Sequence, residues 1–258
     1  MKIRKALVVY YVHNYRTLRI VESALKKNGI RFVCLNREKV RNKDVKGTDA
    51  VIVVGGDGTF LRVAHLISGS TPVLVISSDI NRNEAFYSRA TRGDVSEKIA
   101  RLAEGKYRIT KLPRLEAKIN KKLLPILSVN EIFVGSSRPY HTSRYVIEVN
   151  GKSELQKSSG VLITTKMGST GWARSAAKTS LKIPEGGFGF VVREPYIGRL
   201  TKPGMLYAYL PANGLIRIKS LTHKGIVVVD SSDREFRFDD GAILEVSVSK
   251  KPLSFIEF

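Results

Sequence analysis

Apolar residues in the first hundred positions follow two alternating rhythms. Lys5 to Val12, Ile30 to Leu35, Asp49 to Val54 and Thr71 to Ser77 are short apolar runs rich in β-branched residues, and they predict buried strands. Thr17 to Lys27 carries Leu18, Val21 and Leu25 on one face with Gly29 beyond its end, which predicts a helix. Asp94 to Ala103 predicts another, stopped by Gly105. Strands alternating with helices imply a parallel sheet covered by helices on its faces. After Gly105 the rhythm changes. Tyr107 to Ile119, Leu124 to Phe133, Arg144 to Asn150, Ser159 to Thr165 and Phe188 to Arg193 are all strand-like, as are Met205 to Leu210, Leu215 to Ile218, Ile226 to Val229, Glu235 to Phe238 and Ile243 to Val248. Turns such as Pro211-Ala212-Asn213-Gly214 and Asp239-Asp240-Gly241 separate them, so a mostly antiparallel second domain is expected. The expected architecture is an α/β N-terminal domain over residues 1–105, with a parallel sheet and a glycine-rich phosphate loop. A β-rich C-terminal domain follows over 106–258, its last strand able to pack back on the first.

With 258 residues, 43% of them hydrophobic, the chain is long enough to bury a real core. No apolar run approaches the roughly 20 residues that span a bilayer, and the run after Met1-Lys2-Ile3-Arg4-Lys5 reads as a first strand rather than a signal peptide. Cys34 is the single cysteine, which excludes an intramolecular disulfide and a cysteine-based metal cluster. His13, His65, His141 and His223 lack zinc-ligand spacing. The net charge of +21 fits attraction of small polyanions such as ATP and dinucleotides. Its Lys and Arg residues are spread from Lys2 to Lys251 without a tail or arginine-rich block, and this argues against a nucleic-acid partner. A cytoplasmic protein is expected.

The candidate chemistry begins at Gly55-Gly56-Asp57-Gly58-Thr59, between the strand Ala50 to Val54 and the helical spacing of Phe60 to Leu66. Glycines there let backbone N–H groups approach an anion, and a helix N-terminus adds a favourable dipole. Asp57 would repel a phosphate by itself. It makes sense if it binds a metal or takes a proton from a hydroxyl beside the phosphate, which points to phosphoryl transfer. There is no Gly-x-x-x-x-Gly-Lys-Ser/Thr loop, so Walker-type ATP binding is excluded. Two further segments are polar at the ends of apolar runs: Val129-Asn130-Glu131-Ile132, and Ser158-Ser159-Gly160 running through Thr165-Lys166-Met167 into Gly168-Ser169-Thr170-Gly171-Trp172. The second offers hydroxyls and backbone N–H groups as another anion nest.

In this order and spacing the three segments resemble the NAD kinase family, whose members carry GGDGT, a later NE box and a GST turn. The resemblance runs from the first strand to Pro252-Leu253-Ser254-Phe255-Ile256. Ser77-Ser78-Asp79, Ser158-Ser159-Gly160 and Val192-Arg193-Glu194-Pro195 make it most similar to the organellar-type NAD(H) kinases. The resemblance implies the NAD kinase/diacylglycerol kinase-like fold and transfer of the γ-phosphoryl of ATP to the adenosine 2′-hydroxyl of NAD or NADH, with a divalent metal, Mg²⁺. It implies Asp57 as base or as metal and phosphate organiser, with Gly55, Gly56, Gly58, Thr59 and Arg62 on the phosphate side. Asn130, Glu131, Ser159, Thr165, Lys166, Gly168, Ser169, Thr170 and Trp172 would bind the dinucleotide. It also implies a homodimer or homotetramer.

Departures cluster on the acceptor side. Thr165-Lys166-Met167 stands for the family's Thr-Pro-Thr, and Gly171-Trp172 for Ala-Tyr. Ser159-Gly160 replaces an Asp-Gly pair, and Asp79-Ile80-Asn81-Arg82-Asn83-Glu84 replaces an Asn-x-Gly loop. Losing a carboxylate and gaining Lys166 makes that side more positive, and Trp172 offers a stacking surface. Two alternatives stay open: a GGDGT-type kinase for a lipid, sugar or other nucleotide-like alcohol, and a non-catalytic dinucleotide- or RNA-binding protein on the same fold.

Overall fold

A computed structural model describes residues 1–77, 84–199 and 201–258. Ser78 to Asn83, which carry the expected Ser77-Ser78-Asp79 pattern and most of the loop replacing Asn-x-Gly, lie outside the described residues. The chain divides into two compact units, Met1–Leu112 together with Lys251–Phe258, and Pro113–Lys250.

The first unit contains β1 (Lys5–Tyr10), α1 (Tyr15–Lys27), β2 (Arg31–Asn36), α2 (Asn42–Val45), β3 (Ala50–Val54), α3 (Asp57–Ala64), β4 (Val73–Ser77), β5 (Ala90–Thr91), α4 (Val95–Glu104) and β6 (Arg108–Leu112). Its sheet has the order β2-β1-β3-β4, all parallel; then the C-terminal strand Leu253–Glu257 lies parallel to β4 and antiparallel to β6, while β5 pairs with β4. Every residue of β3 and of β4 is buried, as strands covered on both faces must be, and this explains their unbroken apolar composition. On α1, Leu18, Val21, Ala24 and Leu25 are buried; on α4, Val95, Ile99 and Leu102. They share a core with Val8, Ile52 and Ile76. Gly105 ends α4 in the left-handed conformation (φ 80°), and the chain adds β6 before leaving this unit.

The second unit contains β7 (Leu115–Ile119), β8 (Lys122–Leu123), β9 (Glu131–Ser136), β10 (Ser143–Val149), β11 (Lys152–Ser158), β12 (Val161–Thr165), α5 (Trp172–Ala177), β13 (Phe188–Val192), β14 (Tyr207–Leu210), β15 (Ile216–Ser220), β16 (Gly225–Val229), β17 (Glu235–Arg237) and β18 (Ile243–Val248). Two antiparallel sheets, β11-β10-β15-β18-β7-β8 and β14-β13-β12-β9-β16-β17, contribute to one apolar core that includes Ile147, Ile218 and Leu244 from the first and Ile163, Phe190 and Val227 from the second. The α/β and β-rich parts read from the sequence are both present.

Three local expectations change. Tyr107 to Ile119 is two strands in different sheets, β6 and β7, because Pro113 has no N–H to continue a ladder. Leu124 to Asn130 is not a regular strand; Glu131 opens β9, so the Asn130-Glu131 pair stands at the start of a strand and not at its end. Lys152–Ser158 is a strand despite only one large apolar side chain, because it lies at a sheet edge and buries Gln156 and Ser158 in place of hydrophobes. No helix among the described residues is long and apolar enough to cross a membrane.

Ile52 is wholly buried in the middle of β3. Ile52→Ala is expected to destabilise the first unit by about 2–5 kcal/mol, measured by chemical denaturation, because the covered strand cannot collapse onto the cavity.

Candidate active site

In the first unit the parallel strands β1, β2 and β3 end at Tyr10, Asn36 and Val54, and the glycine loop leaves the sheet at that end. Carboxyl ends of parallel strands are where ligands bind such sheets. Gly55 owes its identity to Thr59, whose Oγ1 would lie 2.9 Å from a Cβ there. Gly58 is different: a Cβ would meet nothing within 4 Å, and the residue is exposed. The N-cap of α3 is Gly56, which has no side chain to cap the helix, while its carbonyl accepts from the N–H groups of Thr59 (3.0 Å) and Phe60 (3.2 Å). The Asp57 carboxylate accepts hydrogen bonds from the backbone N–H groups of Phe86 and Tyr87, at 3.1 Å each, one to each oxygen. Each oxygen keeps acceptor capacity for a hydroxyl or a cation. Thr59 is buried and its hydroxyl accepts from Arg37 Nη1 at 3.3 Å. Arg62, one turn further along α3, pairs with Glu38 at 2.7 Å.

In the second unit the NE and GST segments meet. The organising group is Asp230, just beyond β16, whose Oδ1 accepts from Ser128 Oγ (2.6 Å) and from the N–H groups of Asn130 (2.8 Å) and Glu131 (3.1 Å). Its Oδ2 accepts from Val129 N–H at 2.8 Å. With its donors turned toward Asp230, the turn presents its carbonyls to the GST segment. Val129 O accepts from Thr165 Oγ1 at 2.6 Å, and Asn130 O from Thr165 N–H at 2.9 Å and Thr164 Oγ1 at 3.2 Å. Thr165 Oγ1 accepts in turn from Gly168 N–H at 3.1 Å. A Cβ on Gly168 would lie 2.3 Å from Asn130 O, so only glycine permits this approach. Ser169 and Thr170 donate their hydroxyls locally, to the carbonyls of Lys166 and Met167. Lys166 reaches out to the exposed Glu185.

Burial sets the electrostatics of this turn. Glu131 is 4% exposed, and desolvation, reinforced by the neighbouring Asp230 charge, pushes its carboxyl from the ordinary 4.5 up to about 8. Arg114, also buried, is lowered to about 10 by desolvation, against the pull of Asp230. Among the described residues Glu131 is therefore an acid poised near neutrality beside a carboxylate locked by four donors.

Ser159 and Trp172 lie elsewhere in the second unit, on a pocket of about 170 Å³ that also involves Phe133, Arg138, His141 and Arg193. Trp172 stacks on Phe133 with ring centroids 5.4 Å apart, and the Arg193 guanidinium lies 4.9 Å from the Trp172 ring and 5.7 Å from that of Phe133. Aromatic and cation–π contacts of this kind fix the indole from the protein side. Sequence reasoning missed Asp230 and Arg37, and it named Arg193 only within the Val192-Arg193-Glu194-Pro195 pattern, without a role at this pocket. Asp230 had a usable signal, a carboxylate closing the apolar run Ile226 to Val229, but its partners lie about one hundred residues away (|i−j| 99 to 102).

Comparison with known proteins gives the class first: the fold is that of the NAD kinases. Yeast NADH kinase, solved in complex with NADH, matches with a TM-score of 0.83 at 15% identity, over 100% of this chain and 84% of that one. An NAD kinase from Archaeoglobus fulgidus, solved with ATP, matches with a TM-score of 0.79 at 22% identity, over 97% of this chain and 92% of that one. A probable NADH kinase from Oryza sativa subsp. japonica is 25% identical over 252 residues, 90% of this chain and 77% of that protein. Residues 9–107 match the family model for the ATP-NAD kinase N-terminal domain.

Two measurements test the second-unit turn. Gly168→Ala is expected to cost about 2 kcal/mol or more, because Asn130 O is backbone and cannot step aside. Glu131 binds its proton more tightly folded than unfolded, so its contribution to stability is present at pH 4 and is lost as pH rises toward 8. The melting temperature of wild type relative to Glu131→Gln should therefore fall by about a few degrees between pH 5 and pH 8.

Proposed function

We propose that this protein is an ATP-dependent kinase that phosphorylates the adenosine 2′-hydroxyl of NAD or NADH, giving NADP or NADPH and ADP. The observation that carries this reading is the GGDGT loop: a helix start without a side-chain cap, an exposed Gly58 with no neighbour to fill its missing Cβ, and a carboxylate anchored at its edge. A glycine-rich helix start lets phosphate oxygens approach its backbone and adds a favourable dipole. Phosphoryl transfer asks mainly for positioning and charge neutralisation. Asp57 would accept the proton of the attacking ribose hydroxyl as its oxygen bonds to the γ-phosphorus and the bond to ADP breaks. General-base assistance of this kind is worth about 10²–10⁴-fold.

Among the described residues no group of three or more His, Cys, Asp or Glu is arranged to hold a metal ion. Mg²⁺ is commonly held by one or two carboxylates together with substrate phosphates rather than by a protein cage. Asp57 is the carboxylate at the loop, and the ion when bound would neutralise charge on the phosphoryl oxygens. ATP as donor accords with the solved relative named as an ATP complex, and NADH as acceptor with the one named as an NADH complex.

On the acceptor side, Asn130, Glu131, Thr165, Lys166, Gly168, Ser169 and Thr170 would bind the dinucleotide. The tight Asn130–Gly168 approach supports treating them as one element. Ser159 and Trp172 would contact one of its ends from their separate pocket. A cytoplasmic setting accords with a single, half-buried thiol at Cys34. A homodimer or homotetramer completes the reading; elution volume with light scattering checks it.

The decisive assay is ADP release from ATP and Mg²⁺ with NAD, NADH and a panel of other alcohols. Asp57→Asn is expected to lower kcat by about 10²-fold or more with NAD or NADH. Turnover with another alcohol alone would shift the acceptor, and wild-type turnover in Asp57→Asn would remove Asp57 from the reaction.

A further inference from the structure

A second set of charged groups gathers at the carboxyl ends of the same three neighbouring strands. Tyr11 follows β1, Arg37 and Glu38 follow β2, and the glycine loop follows β3. Arg37 is held from three sides. Its guanidinium carbon lies 3.9 Å from the Tyr11 ring centroid, its Nη1 donates to Thr59 of the glycine loop at 3.3 Å, and its Nε donates to Glu38 Oε1 at 2.9 Å. The other Glu38 oxygen, Oε2, takes Arg62 Nη2 at 2.7 Å. One carboxylate therefore bridges two guanidinium groups, one just beyond β2 and bonded to Thr59 of the glycine loop, the other on α3.

The arrangement costs side-chain freedom, yet its ion pairs are exposed: the side chains of Glu38 and Arg62 are 52% and 43% accessible. Exposed pairs of this kind contribute little to stability. Planar guanidinium forks, by contrast, match the oxygens of a phosphate as well as those of a carboxylate, and a phosphate brings more charge. Arg37 is further fixed by the ring beneath it and by Thr59, so it would not need to be ordered again when an anion arrives.

We propose that Arg37 and Arg62 form a two-arginine clamp for the terminal phosphates of a polyphosphate donor, and that Glu38 fills the clamp as an internal stand-in which the donor displaces. The proposal rests on the kinase reading of the glycine loop and adds to it two residues, Arg37 and Glu38, and an exchange of anions. Glu38 is then a brake on donor binding: the phosphate chain must win both arginines from it. Arg37 touches the donor directly, whereas Glu38 acts through the arginines as a positioning residue.

The test measures binding of MgATP and of inorganic tripolyphosphate by calorimetry, and KM and kcat for ATP and for NAD, in wild type, Arg37→Ala, Arg37→Lys and Glu38→Gln, with the melting temperature of each. Arg37→Ala is expected to weaken ATP and tripolyphosphate about tenfold or more, with KM for NAD within twofold of wild type, and Arg37→Lys to restore part of the loss. Glu38→Gln is expected to bind both anions about threefold tighter or better, because the internal competitor is gone. A wild type that binds ATP while Arg37→Ala binds it equally well overturns the clamp and leaves the kinase reading standing. Weaker ATP binding in Glu38→Gln overturns the stand-in. A wild type that binds neither ATP nor tripolyphosphate overturns both the clamp and the kinase reading.

Discussion

The second unit's candidate site depends on a carboxylate placed where carboxylates are expensive. Asp230 is 5% exposed, and a bare charge at such depth would be unfavourable by several kcal/mol. Three backbone N–H groups and the Ser128 hydroxyl converge on it instead. That convergence fixes the turn before β9 more tightly than a turn sequence could by itself, and Asp230 accepts a left-handed backbone (φ 48°) to reach it. Once the donors of residues 129–131 point one way, the carbonyls of Val129 and Asn130 point the other, and the Thr165 to Gly168 segment is built against them. Glu131 inherits its environment from the same choice. It is buried beside the Asp230 carboxylate, and desolvation together with that neighbour disfavours its own charge.

The two units distribute their constraints differently. In the first, the covered strands β3 and β4 form a rigid platform, and the glycine loop is a partly exposed fringe at one end of it, with Gly58 exposed, Asp57 half-buried and Thr59 buried. In the second, the candidate groups are largely buried and bonded to one another, with Lys166 and Thr170 as the exposed exceptions. A fringe suits a highly charged, hydrated ligand. Trp172 follows the second pattern: its stacking on Phe133, with Arg193 near both rings, gives it a defined orientation.

What could be read from the sequence follows the range of the interactions involved. The strands β1 to β4, the helices α1 and α4 and the loop at Gly55 to Thr59 are set by local periodicity and by glycine between two apolar patterns, and all are present in the structure. The NE and GST segments were visible as polar breaks in apolar runs. Their mutual contact was not, because Gly168 meets Asn130 only through the pairing of β9 with β12. Lys152–Ser158 was invisible for another reason: an edge strand that buries Gln156 and Ser158 lacks the apolar alternation that marks a strand. Arg37 and Glu38 were hidden among 44 Lys and Arg and 23 Asp and Glu residues, where only the third dimension separates a solvated charge from one aimed at a loop.

The sheet of the first unit is interrupted in the chain. Leu112 at the end of β6 pairs with Leu253 at the start of the C-terminal strand, and the whole of Pro113–Lys250 is inserted between these two partners. On the ribosome β6 therefore emerges long before the strand it needs, and so does the β4 edge that the same strand covers. Until residues 253–257 are made, a partly finished sheet must wait with an unpaired edge of the kind that invites association with other chains. The inserted unit has all of its own strands by Lys250 and can close first. The order of synthesis thus makes the unit that begins the chain the last one to be completed.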